Sequence, residues 1–157
     1  MAKTHRTYSP QDALARLQNL CSRSEKCAYD VRLKLQQWEI DSASSNMVID
    51  ALQKNNFIND ERYARAYIKD KLSIAKWGRQ KILRTLKAKQ IPLALINEIF
   101  AEYNDTKYQN DLLELLKKKN LSIKKEESEY GRKAKLLRFA LSRGYEYNLV
   151  YNALSSI

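Results

Sequence analysis

Glycine and proline are nearly missing from this chain: there are three glycines and two prolines in 157 residues. A sandwich or barrel of many short strands cannot be built without turn residues, so those classes are excluded and helices are expected. Cysteine is as sparse. Cys21 and Cys27 stand alone and His5 is the one histidine, so four Cys/His ligands for a structural zinc do not exist. The two cysteines are six residues apart and do not stack on one helix face, so they read as reduced thiols. With His5 inside a basic start, Met1 to Tyr8, neither a Ser-His-Asp nor a Cys-His arrangement has a base. Phosphate-binding glycine loops are missing too, since Gly78, Gly131 and Gly144 are scattered. The acids Asp60-Glu61 fit a helix start rather than a metal site. No enzyme, cofactor or metal is expected. The longest apolar run, Ile91 to Ile96, is interrupted by Pro92, and no stretch has signal-peptide or membrane-spanning length. The expectation is a soluble cytoplasmic protein with no membrane partner.

Positive charge is abundant: 29 Lys+Arg against 18 Asp+Glu leave a formal charge of +11. Such a surplus points to a polyanion or an acidic protein surface as partner.

Helix-start signals recur along the chain. Ser9-Pro10-Gln11-Asp12 supplies a cap, a proline at the first helical position and an acid, which predicts a helix over 10–22. Ser22-x-x-Glu25 resembles a capping box and opens a second helix carrying Tyr29, Val31, Leu35 and Trp38. Asp41-Ser42 caps a third. Asn59 caps a fourth, running to about 73, with Ile58 stapling against Tyr63. Helices over about 77–89, 92–103, 105–119, from Tyr130-Gly131-Arg132 onward, and over 145–155 bring the count to nine.

Apolar sites return in register. Leu35 to Leu86 and Ile40 to Ile91 are 51 apart, whereas Ile82 to Leu136, Ile91 to Tyr145, Leu95 to Leu149 and Phe100 to Leu154 are 54 apart. The reading is an all-α chain, an elongated array of three tandem three-helix repeats: a basic tail over 1–9, then modules over 10–57, 58–103 and 104–157. Each module alone holds a small core, so mutual docking contributes to stability.

The charge has a place in this pattern. From Lys71 to Asn97 there are seven cations (Lys71, Lys76, Arg79, Lys81, Arg84, Lys87, Lys89) and no acid. At 100° per residue Ile82, Leu83 and Leu86 share one arc while Lys81, Arg84 and Lys87 share the opposite one. In the preceding helix Tyr63, Ala64 and Tyr67 face one way and Arg62, Arg65 and Lys69 the other. A second basic block includes Lys117, Lys118, Lys119, Lys124, Lys125, Arg132, Lys133, Lys135, Arg138 and Arg143, interrupted by Glu126, Glu127 and Glu129. Lysine and arginine also serve simply to solvate helices, but ordinary surfaces mix both signs. Tyr63 and Tyr67 belong to a core face; Trp77, at a helix start on the charged side, is the aromatic best placed to stack on an unpaired base.

The middle of the chain resembles the RecX family of bacterial regulatory proteins. The resemblance is carried by Phe57-Ile58-Asn59-Asp60-Glu61-Arg62-Tyr63-Ala64-Arg65-Ala66-Tyr67, by Trp77-Gly78-Arg79-Gln80-Lys81-Ile82 and by Leu86 with Ile91; Arg143-Gly144-Tyr145 is similar to the family's Arg-Gly-aromatic. Asp60, Tyr63, Ala64, Ile82, Leu86, Ile91, Gly144 and Tyr145 are the positions implied as structural. Gln90 stands where the family usually has glycine, so that turn cannot rely on glycine's access to positive φ. What the resemblance implies is a non-enzymatic modulator of the recombinase RecA. Such a protein is a monomer that lies along the RecA filament on single-stranded DNA and limits its activity in homologous recombination, repair and the SOS response. The contact residues expected are Arg62, Arg65, Lys69, Lys76, Trp77, Gly78, Arg79, Lys81, Arg84 and Lys87, with Arg132, Lys135 and Arg138 in the third module. Two other readings stay open: a sequence-independent nucleic-acid-binding protein acting without RecA, and a scaffold whose charge only aids solubility.

Overall fold

The computed structural model describes residues 7–157, and they form nine α-helices and no strand: α1 (Pro10–Arg23), α2 (Ala28–Gln37), α3 (Ser42–Lys54), α4 (Asp60–Ser73), α5 (Arg79–Ala88), α6 (Leu93–Ala101), α7 (Asp105–Leu121), α8 (Glu129–Ser142) and α9 (Tyr147–Leu154). Residues 1–6 of the basic start, His5 among them, lie outside the described residues. Most starts follow the local signals. Ser9 Oγ accepts from the Asp12 N–H at 3.1 Å, Asp41 Oδ1 from Ser44 at 2.8 Å, Asn59 Oδ1 from Arg62 at 2.9 Å and Asn104 Oδ1 from Lys107 at 3.0 Å. Each satisfies a helix N–H that the helix itself cannot, a contribution of about 1 kcal/mol.

Two starts differ from expectation. The capping box at Ser22-x-x-Glu25 does not form: α2 begins at Ala28, and the cap position Cys27 makes no side-chain bond to it. Instead the Ala28 N–H donates to Asp60 Oδ1 at 2.9 Å, while Glu25 pairs with Arg62 at 2.7 Å. A distant acceptor does the work assigned to a local one. The helix α8 begins before Tyr130, because Ser128 Oγ caps it by accepting from the Gly131 N–H at 3.0 Å.

The chain divides into two compact units, one ending at Ala66 and the other running from Tyr67 to Ile157, so the division falls inside α4. In the first, α3 packs on α1 and on α2 around Leu17, Val31, Leu35, Val48, Ile49, Leu52 and Ile58. The second contains α5 against α6 and the mutually packed α7, α8 and α9. Ile82, Leu86, Ile96, Ile99, Leu112, Leu116, Leu136 and Tyr145 are fully buried there.

One turn recurs at matching places along the chain, and once more after α3, where Asn56 (φ 59°) is followed by a Phe57 N–H that reaches back to the Leu52 carbonyl at 2.9 Å. After α2, α5 and α8 the chain passes through a left-handed residue, Glu39 (φ 58°), Gln90 (φ 61°) and Gly144 (φ 94°). The next N–H reaches back five residues: Ile40 to the Leu35 carbonyl at 3.0 Å, Ile91 to Leu86 at 3.1 Å and Tyr145 to Ala140 at 3.2 Å. This is a Schellman ending, and the apolar residue after the turn folds back onto the core. The 51- and 54-residue spacings mark these turns. At Gln90 the turn takes the left-handed conformation without glycine, at a cost of about 1 kcal/mol for an L-residue. Gln90→Gly is accordingly expected to raise stability by about 0.5–1 kcal/mol in urea unfolding, with activity unchanged.

Candidate partner interface

The cations of the middle segment fall into two groups, those spent inside the chain and those left to solvent. The start of α5 explains the first. Gly78 has no side chain to cap it, yet three leading N–H groups are satisfied from elsewhere in the chain: Gly78 donates to the Arg143 carbonyl at 2.7 Å, Gln80 to the Gly144 carbonyl at 2.9 Å and Arg79 to the Tyr108 hydroxyl at 2.9 Å. Tyr108 can accept because its own proton goes to Glu146 Oε2 at 3.0 Å. The Tyr145 hydroxyl donates to the Lys76 carbonyl at 3.0 Å, and the two tyrosine rings lie 5.2 Å apart.

Gly78 is buried in this joint, and a Cβ there would lie 2.2 Å from the Gly144 carbonyl carbon. Gly78, named among the expected contact residues, thus makes its close approach to the chain's own Gly144. Arg79 is drawn in as well, with its guanidinium 4.1 Å above the Tyr108 ring and paired with Asp105. Lys76 pairs with Asp111 at 3.4 Å. Trp77 is half-buried, edge-on to Tyr67 at 6.4 Å, with the Lys71 and Lys81 ammoniums 4.6 and 4.0 Å from its ring centre. These cation–π contacts engage the tryptophan before any base arrives.

On α4, Arg62 holds Glu25 and donates to the Asn56 carbonyl at 3.0 Å, and Arg65 pairs with Glu61 at 3.1 Å. Asp60, implied as structural, caps α2 from 32 residues away by accepting from the Ala28 N–H. Tyr63, Ala64, Ile82, Leu86, Ile91, Gly144 and Tyr145 are all buried. Lys69, Arg84 and Lys87 differ: they are exposed, and among the described residues none forms an ion pair. In the third module Arg132 donates to Asn120 Oδ1 at 2.6 Å, Lys135 pairs with Glu127 at 2.5 Å, and Arg138 is exposed beside an open groove of about 730 Å³ between α7 and α8.

Burial governs ionisation here. It pushes the Tyr145 phenol up to about 12, helped by Asp111 and Glu146, and moves Tyr108 higher still. Both phenols stay protonated and donate at neutral pH. Because the folded values lie above that of a free phenol, this contribution to stability is complete below about pH 10. It falls as pH rises from about 10 to 12. Tyr108→Phe removes the acceptor for the half-buried Arg79 N–H and should destabilise by about 1–2 kcal/mol while flattening that alkaline decline, both readable in urea unfolding across pH. Burial also raises Cys21, so it is not an activated thiolate. Among the described residues no group of three His, Cys, Asp or Glu is placed to hold a metal, and no helix is long and apolar enough to cross a membrane.

Sequence reasoning missed Tyr108, Asp105, Asp111 and Glu146. They belong to the joint by contacts made 26 to 38 residues away, such as Arg79 with Asp105 and Tyr108 with Glu146, for which the chain offers no local signal.

Comparison with known proteins places this architecture. Residues 59–99 match the family model described as RecX, second three-helix domain, and residues 107–154 the one described as RecX, third three-helix domain. The Regulatory protein RecX of Clostridium beijerinckii is 32% identical over 139 residues, 88% of this chain and 64% of the relative. That of Clostridium acetobutylicum is 32% identical over 148 residues, 92% of this chain and 68% of the relative. The chain thus spans about two thirds of the length of these relatives. The crystal structure of RecX from Lactobacillus salivarius superposes with a TM-score of 0.77 at 19% identity, covering 94% of this chain and 95% of that one. A second crystal structure, of a regulatory protein RecX, gives a TM-score of 0.81 at 18% identity over 94% of this chain and 72% of that one. At these identities the structures speak for the fold, the sequence matches for the descent, and together they say that the chain belongs to the RecX family of regulatory proteins.

Proposed function

We propose that this chain is a non-enzymatic cytoplasmic regulator that binds the RecA filament on single-stranded DNA and lowers RecA activity in recombination and repair. It acts as a monomer, through modules over 10–57, 58–103 and 104–157. The observation that carries this reading is on α5: in a stretch with no acid from Lys71 to Asn97, Arg84 and Lys87 face solvent with no counter-charge among the described residues. Charges left unpaired on one face favour an anionic partner, either phosphate backbone or acidic protein. Lys69 extends the cationic surface on α4. A ligand that contacts several protomers at once shifts a filament only by binding one of its states better than another, so multivalent contact gives regulation without catalysis.

The groove between α7 and α8 favours a second reading, binding of single-stranded nucleic acid without RecA. A titration of labelled single-stranded DNA at two salt concentrations, with and without RecA, separates the two. RecA-dependent tightening supports the regulator. Binding of the same strength with and without RecA supports the second reading.

A further inference from the structure

The α7–α8 groove is lined by Lys119, Lys124, Lys135 and Arg138 over the ring of Phe139, and among the described residues Glu127 is the one acid on its walls. Through Lys119, Ser122 and Phe139 it continues into a second hollow of about 400 Å³ bordered by Lys118 and Arg143. The Lys119 ammonium and the Arg143 guanidinium lie 5.1 and 5.0 Å from the Phe139 ring centre, so the cations are arrayed along an apolar floor. Arg132 pins the loop to α8 by donating to the Asn120 side chain and, at 3.3 Å, to the Lys124 carbonyl.

Glu127 is placed in this wall by specific means. Its carboxylate sits 2.5 Å from the Lys135 ammonium, which holds the acid below the usual carboxylate range. It also fills the space over Gly131, where a Cβ would come within 2.0 Å of Oε1. Glycine inside a helix weakens it, and at Gly131 its absent side chain makes room for this carboxylate.

We infer that the groove takes the phosphodiester backbone of a single strand of nucleic acid, and that Glu127 stands against Lys135 in the place of a phosphate oxygen until the strand displaces it. This rests on the proposed nucleic-acid partner and deepens it, by giving the strand a site apart from the face of α5. Two continuous hollows with cations along both suit a chain of anions better than a single one. Most of those cations are lysines, point charges that accept a phosphate at any orientation, whereas carboxylates are best matched by arginine forks.

The test is the fluorescence anisotropy of a labelled 20-mer of deoxythymidine with the full chain and no RecA, over 50–200 mM salt. Four phosphate contacts give a log–log slope of about −3. Lys124→Ala with Arg138→Ala should weaken binding at least about 10-fold at the lower salt and flatten the slope by about 1.4. Glu127→Gln should tighten it by about 3- to 10-fold with the slope nearly unchanged, since Lys135 reaches the strand in both and the variant only removes the competing carboxylate. Gly131→Ala, whose Cβ evicts the same carboxylate, should reproduce the gain, and circular dichroism confirms that each variant is folded. Glu127→Gln and Gly131→Ala binding no tighter than the unsubstituted chain, or the double alanine variant binding as well as it, overturns the inference. So does a 20-residue polyglutamate bound more tightly than the oligonucleotide, which would assign the groove to an acidic protein. Failure here leaves the regulatory reading standing, because that reading is decided separately by RecA's ATPase.

Discussion

Replacing Gly78 with alanine should lower the melting temperature of the second unit by about 10 °C or more, the largest stability effect expected of any single methyl group in this chain. The new Cβ would lie 2.2 Å from both the Gly144 carbonyl carbon and the Tyr145 nitrogen, and 2.3 Å from the Gly144 oxygen. Those neighbours are backbone atoms, which cannot swing aside as a side-chain tip can. They also belong to a turn already bound to α5 through the Gly78–Arg143 and Gln80–Gly144 hydrogen bonds. Making room means breaking both and unseating Tyr145, which is 1% exposed. Overpacking of a tight contact costs about 1–3 kcal/mol, and loss of two buried backbone bonds adds about 1 kcal/mol each. In a unit of this size each kcal/mol corresponds to about 4–8 °C. Gly144→Ala should behave similarly, since its Cβ would meet Lys81 N at 2.6 Å and its φ of 94° suits glycine alone. Thermal melts followed by circular dichroism read both. A loss below about 1 kcal/mol at Gly78 would show that the joint yields.

This joint also shows how far the sequence is legible. The helices can be read from caps and periodicity because those signals are local: Ser9, Asp41, Asn59 and Asn104 each bond an N–H three residues on. The repeat spacing is legible for a related reason, since Leu35 and Leu86 mark the same turn in two modules. Long-range substitution of a local signal is not legible. Asp60 caps a helix 32 residues earlier, and nothing near Ser22 and Glu25 reveals that their capping box yields to it. The charged face is half legible. Helical periodicity puts Lys81, Arg84 and Lys87 on one arc, but whether a cation is free depends on acids from other helices. Asp105 takes Arg79, Asp111 takes Lys76 and Glu25 takes Arg62, leaving Lys69, Arg84 and Lys87 from a longer list of candidates.

Arg84→Glu combined with Lys87→Glu should raise the concentration of this protein needed to act on RecA by about 10- to 100-fold. The reversal moves the net charge from +11 to +7 but concentrates the change on one exposed face. An isolated surface ion pair contributes at most about 1 kcal/mol. Two such pairs lost and two like-charge contacts created give the expected range. Neither side chain has an internal partner among the described residues, so the melting temperature should stay within about 2 °C. The same reversal at Arg62 or Arg79 would be a poor test, because it leaves Glu25 or Asp105 facing a like charge and damages the fold.

The most direct measurement of the regulatory proposal is RecA's ATPase activity on single-stranded DNA as this protein is added at moderate salt. The expected result is a saturable fall in ATPase with the unsubstituted chain and almost none, at the same concentrations, with the folded Arg84→Glu, Lys87→Glu variant. An ATPase rate that the unsubstituted chain leaves unchanged would contradict the regulatory reading, and equal inhibition by the variant would contradict the assignment of the partner surface to α5.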